Sequence, residues 1–188
     1  MKNILSILVG FLSFAIVGCT NSTALDEDMA EELVTAHLKS NPEYKTVKIE
    51  VGEVKFRNKN GKALLDKYKT LENKGLINMG LQNQKKKFLS RDSTYFYMVS
   101  LSDDAKPYIL KQGDSQATLK AVDYQLDGDK PISLLQSDSK LAKVTVSLKK
   151  VENDFAIFLK NKGTASNFIT KTYRAKLNKE EGWILVGE

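Results

Sequence analysis

Few side chains in this 188-residue chain are of the types that do covalent or metal chemistry: one cysteine, Cys19, and one histidine, His37. A nucleophilic thiol or a basic imidazole needs a partner to orient it, and a zinc site needs three or four nitrogen or sulfur ligands. One of each cannot build a conventional zinc centre, and a lone cysteine forms no disulfide within its own chain. Packing alone must therefore hold the fold. Asp127-Gly128-Asp129 has the look of a fragment of a calcium loop, but no glutamate follows about nine residues on to close the site. Lys130-Pro131 comes next, and turn chemistry accounts for the stretch. No glycine-rich phosphate loop is present. Carboxylate-pair hydrolysis stays open, because its two carboxylates come from distant positions and meet only in space, about 5–9 Å apart.

Ser137 and Lys140 stand three residues apart, which formally matches the SxxK phrase of the penicillin-binding enzymes. That mechanism needs the serine at a helix start with the lysine one turn on. Here the phrase lies in a polar stretch before a strand, without its companion S-D-N and K-T-G phrases. No catalytic residue and no cofactor is assigned. The run Lys85-Lys86-Lys87, with Arg91 nearby and Phe88 beside it, offers a contact for an anionic polymer. The simpler reading is a solvated loop. The net charge of +6 is moderate and favours anionic lipid heads, cell-wall polymers or acidic partners. A scattered lysine excess also serves solubility.

These groups need a scaffold. Residues 26–39 read as a helix, with Ala30, Leu33, Val34, His37 and Leu38 on one stripe and acids in its first turn. His37 then belongs to a packed helix face. Residues 44–56 alternate as a strand whose phase slips at Gly52, the mark of a bulge or tight bend. A second helix spans about 62–73, buries Leu64, Leu65, Tyr68 and Leu71, and ends on Gly75. In 95–101 the residues Tyr95, Tyr97, Val99 and Leu101 face one way and Phe96 and Met98 the other, which predicts a strand covered on both sides. Beyond a polar break at 112–115 the chain is strand-rich. Strands are expected at 119–126, around Val144, Val146 and Leu148, around Phe155, Ile157 and Leu159, at 169–177 and at 183–186. Residues 161–167 read as an exposed loop.

The opening residues suggest a role for Cys19. A basic start at Lys2, an apolar run from Ile4 to Val17 and a small residue before a cleavage point have the layout of a secretory signal peptide. The run is short for a membrane span, which takes about 20 apolar residues. Ile16-Val17-Gly18-Cys19 resembles the lipobox of bacterial lipoproteins. The resemblance implies cleavage before Cys19 and a diacylglycerol on its thiol. Two or three acyl chains hold a protein on a membrane where one binds only reversibly. Residues 20–25 are then a short tether. Thr20 is not the aspartate that retains such proteins at an inner membrane, so the resemblance implies outer-membrane delivery where the host has two membranes.

A second phrase resembles part of a winged-helix module: Leu71, Glu72, Gly75, Leu76 and Ile77, then Leu101, Asp103 and Tyr108. No pair of helices at helix-turn-helix spacing precedes it, and Lys106-Pro107 replaces the usual small turn. A protein anchored outside the cytoplasm meets no chromosome, so no nucleic-acid partner is expected. The ending Glu180 to Val186 is similar to the last strand of small extracytoplasmic domains whose tryptophan plugs an open sheet or barrel. The expected organisation is a signal peptide over 1–18, a tether over 19–25, an α/β module over 26–112 and an antiparallel β module over 113–188. The fold class is α+β: an N-terminal helix and a small winged-helix-like module followed by an antiparallel β meander. The expected protein is a lipid-anchored cell-envelope protein of unassigned biochemical activity, a non-catalytic binding or structural protein whose partner is the membrane and an envelope protein or anionic cell-wall polymer. The alternatives are a hydrolase of cell wall or lipid using distant carboxylates, or an inhibitor or immunity-type lipoprotein that uses its exposed loops.

Overall fold

A computed structural model of the chain describes residues 24–86, 93–160 and 166–187. Cys19 with its leader, Lys87, Arg91 and most of the 161–167 loop lie outside the described residues. Two α-helices, α1 (Glu27–Ser40) and α2 (Asn58–Asn73), accompany ten strands: β1 (Tyr44–Glu50), β2 (Gly52–Phe56), β3 (Ile77–Lys86), β4 (Ser93–Leu101), β5 (Ile109–Gln112), β6 (Gln116–Leu126), β7 (Ser133–Asp138), β8 (Leu141–Glu152), β9 (Phe168–Asn178) and β10 (Gly182–Gly187). Two short 3-10 helices span Asp103–Tyr108 and Asp154–Phe158.

This is a predominantly antiparallel β protein, which corrects the expected winged-helix-led α+β class. Seven strands form a curled half-barrel sheet ordered β1-β6-β8-β9-β10, with β5 on β6 and β7 on β8. Three strands, β2-β4-β3, form a second sheet. A winged helix needs a cluster of helices packed on one another. Here α1 buries Ala30 and Val34 against the large sheet, while α2 buries Leu65, Tyr68 and Leu71 in a different core. The large sheet runs through both halves of the sequence, since β1 and β5 each pair with β6.

Strand β6 joins two cores. Its register on β1 slips between Lys45↔Val122 and Thr46↔Lys120, leaving Ala121 as the extra residue of a bulge. Side chains alternate strictly along a strand, so one extra residue reverses which face the next ones present. Ala117, Leu119 and Ala121 therefore enter the core shared with α2 and the small sheet, and Val122 and Tyr124 enter the core under α1. At Gly52 the chain passes from one sheet to the other. Its φ of +74° suits glycine, and a Cβ there would stand 2.6 Å from the Asp114 carbonyl oxygen. Beside this corner the Tyr68 hydroxyl accepts from the Glu50 N–H and donates to the Glu50 carbonyl, both at 2.8 Å. It serves as the strand partner that Glu50 lacks there.

The segment read as a strand around Phe155 and Leu159 is instead a 3-10 helix. Asn153 caps it by accepting from the Phe155 N–H at 3.0 Å, and donates through Nδ2 to the Lys120 carbonyl at 3.0 Å. Its own N–H donates to the Ala121 carbonyl. These bonds fasten the 3-10 helix to β6 beside the bulge. Elsewhere the local signals fold as their chemistry directs. Asp26 caps α1 by accepting from the Met29 N–H at 2.8 Å. Gly75 ends α2 at φ +72°, with Leu76 N–H on the Leu71 carbonyl and Gly75 N–H on Glu72, a Schellman motif.

Candidate functional site

Of the basic run, Lys85 and Lys86 lie at the end of β3, opposite the start of β4. Past Leu81, β3 reads Gln-Asn-Gln-Lys-Lys and has no apolar alternation of its own. It is a strand because β4 supplies the aromatic partner across the ladder. The register slips between Leu81↔Tyr97 and Asn83↔Phe96, a bulge at Gln82. The bulge decides where the lysines point. After it, Lys85 pairs with Thr94 and shares the outer face with Phe96, while Lys86, opposite Ser93, alternates to the other face. On the opposite flank, Lys55 of β2 stands directly across from Phe96. The Lys55 and Lys85 ammonium groups sit 5.3 and 5.6 Å from the centre of the Phe96 ring. Each such contact is worth about 0.5–1 kcal/mol at an exposed site.

The face that carries this trio is open. Met98, two residues along from Phe96, is 47% exposed, because α2 covers the other face of the sheet and nothing among the described residues covers this one. The expectation that β4 is covered on both sides is corrected accordingly. The cause is β3, whose polar outer residues give a second layer nothing to pack against. The structure thus brings Lys85 together with two residues that the sequence did not single out, Lys55 and Phe96 as its partner. No local signal could have found them, since 30 residues separate Lys55 from Lys85 and only strand register makes them neighbours. Two cations bracketing an aromatic face, with a thioether beside it, can bind an anionic group and an adjoining apolar surface.

The other candidates separate. The His37 ring packs 5.1 Å from the ring of Tyr173, tilted by 60°, at the last turn of α1. Ser137 lies in β7, and Asp138 accepts from the Lys140 N–H at 2.7 Å, so the SxxK phrase is a strand end and a turn. Asp127 and Lys130 close a turn by a backbone hydrogen bond. Among the described residues no group of three or more His, Cys, Asp or Glu could hold a metal ion. Two shallow grooves flank α1. One lies between Met29, Leu33 and Ala36 and the start of β10 at Trp183, the other between Leu38, Pro42 and Tyr124 of β6. No helix among the described residues is long and apolar enough to cross a membrane. Comparison with family models, with curated proteins and with solved structures finds no match to this chain.

Proposed function

We propose that this is a lipid-anchored protein of the bacterial cell envelope that binds rather than transforms its target. Its membrane attachment is through Cys19, and its contact is the cationic hairpin. The lipobox-like Ile16-Val17-Gly18-Cys19 and the apolar leader support the anchor. The observation that carries the binding role is the Lys55–Phe96–Lys85 trio on an open sheet face. The ligand class it suits is an anionic envelope polymer. Charge supplies attraction at a distance, and the ring gives the contact a face to lie on.

Binding to immobilised dextran sulfate tests this. The affinity is expected to fall steeply with salt, because each neutralised cation releases counterions. Removing Lys55 and Lys85 together by substitution with Gln should flatten that slope and weaken binding about tenfold or more. Salt-insensitive binding, or binding untouched by the double substitution, would remove the hairpin from the contact. Anchoring is tested separately: Cys19→Ser should leave an unprocessed precursor or release the chain from membranes. A processed Cys19→Ser chain that stays membrane-bound would end the anchor reading.

A further inference from the structure

Strand β10 ends the large sheet. It bonds to β9, and no other strand among the described residues meets its outer edge. A free edge is a row of unpaired N–H and C=O groups, and charged side chains are a common device for keeping other chains off it. The other strands with a single partner each carry charge: Lys48 in β1, Lys55 in β2, Lys85 in β3, Lys111 in β5 and Asp138 in β7. Strand β10, Gly182 to Gly187, carries none. Its register on β9 is regular from Gly182↔Asn178 to Leu185↔Ala175 and slips only at Val186, so Gly182–Leu185 is a regular, uncharged edge.

The groove between α1 and the start of β10 lies against the same strand. Met29, Leu33, Ala36 and Trp183 give it apolar walls, and Glu32 and Glu181 give it acids. Gly182 keeps room there, since a Cβ on it would meet nothing within 4 Å. The volume of about 420 Å³ lies within the range of ligand pockets. Charge around the groove is mostly negative. Asp28 and Glu31 lie beside Glu32 on α1, with Lys39 a turn or two on, and Glu180 precedes Glu181, with Lys179 before it. Glu32 and Glu181 are both exposed, and neither is in an ion pair with another described residue. Glu181 accepts from the Asn178 side-chain amide at 3.3 Å.

We propose that the open edge of β10 takes up an extended segment of a partner protein as an added strand, with an apolar side chain in the groove and Lys or Arg side chains against Glu32 and Glu181. In strand addition the main-chain bonds supply affinity and the pockets for alternate side chains supply specificity. Charge selects the occupant. A second copy pairing antiparallel through its own β10 would keep both α1 helices on one face of the joined sheet and set two acidic grooves side by side. A cationic segment meets opposite charge instead. An anionic polymer, the ligand suited to the hairpin on the other sheet, is repelled here.

The full-length protein is titrated with a capped Lys-Thr-Leu-Thr-Lys peptide, whose leucine and lysines share one face of a strand. Trp183, the sole tryptophan, reads the groove by its emission, and amide exchange reads the edge. The peptide should shift the emission and slow the exchange of β10 amides, leaving those of β3 and β7 unchanged. Glu32→Gln with Glu181→Gln should weaken binding about three- to tenfold, with far-ultraviolet dichroism verifying the fold. The ladder bonds are tested by methylating backbone nitrogens of the peptide, those of the threonines in one sample and those of the leucine and lysines in another. At least one form must lose about tenfold or more. Binding that survives both methylations adds no strand and overturns the proposal. Equal affinity in the double variant, or for a Glu-Thr-Leu-Thr-Glu peptide, overturns it on charge. Emission and exchange that stay unchanged at about 1 mM peptide overturn it outright. Protection of β10 with a doubled mass, as the protein alone is concentrated, gives the edge to a second copy and also overturns it.

Discussion

Tyr68 shows how much one hydroxyl can hold. Its side chain is 1% exposed and its oxygen both donates to and accepts from Glu50, where β1 ends and the chain turns into the second sheet. Tyr68→Phe keeps the ring and leaves a backbone N–H and carbonyl buried without that partner. The expected loss is about 1–3 kcal/mol, read as a lower urea midpoint at unchanged slope. Burial also pushes the Tyr68 phenol well above its ordinary pKa of 10.0. The folded state keeps this proton where the unfolded chain releases it, so the phenol's contribution is complete below about pH 10 and fades as pH rises beyond it. The alkaline fall in stability should be shallower in Tyr68→Phe; equal slopes would mean that another group controls it. Gly52 and Gly182 make a matched pair at the same scale, with φ of +74° and +76°. A methyl at Gly182 meets nothing within 4 Å, whereas at Gly52 it meets the Asp114 carbonyl oxygen. Gly182→Ala is expected to cost about 1–2 kcal/mol, the backbone term alone. Gly52→Ala should cost clearly more, and equal thermal shifts would refute the close approach.

Among the elements, the 3-10 helix Asp154–Phe158 depends most on a single residue. Asn153→Ala removes its cap and the bond to the Lys120 carbonyl, for an expected loss of about 1–2 kcal/mol in a thermal melt. Asn153→Asp keeps the acceptor for Phe155 N–H but not the donor for Lys120, so its melting point should fall between those of the parent chain and the alanine variant. If it equals the alanine variant, the Lys120 bond is the one that matters. This helix also shows where sequence stops speaking. Phe155, Ile157 and Leu159 alternate as a strand does, and short apolar runs do not separate one backbone from another. The elements α1, α2, the Gly75 cap and the in-out parity of β9 were legible, since each is written in residues adjacent along the chain. Strands β3 and β7 were not, because Gln82–Lys86 and Gln136–Asp138 are polar and become strands only through their partners β4 and β8. The hairpin site shares that fate: the lysine run was visible, but its aromatic partner and Lys55 arrive by register alone.

At the scale of the molecule, the two hydrophobic cores need not be two folding units. One holds α2, the small sheet and the start of β6; the other holds α1, β8, β9 and the end of β6. What crosses between them is covalent and rigid. Ala121 and Val122 are neighbours in one strand, both fully buried and pointing to opposite cores. The Asn153 bonds tie the 3-10 helix, whose Phe155 belongs to the first core, onto β6 at Lys120 and Ala121. To lose either core alone, β6 would have to shed half its ladder while keeping the bulge that aims the other half. Unfolding is therefore expected as one cooperative transition. Trp183 reports on the second core and far-ultraviolet dichroism on the whole sheet. Leu119→Ala opens a cavity in the first core, at an expected cost of about 2–5 kcal/mol. If the cores are coupled, the Trp183 fluorescence midpoint in urea falls by the same amount as the dichroism midpoint, although Trp183 belongs to the other core. A tryptophan transition left in place while the dichroism curve splits in two would show that the bulge joins the cores in space but not in energy.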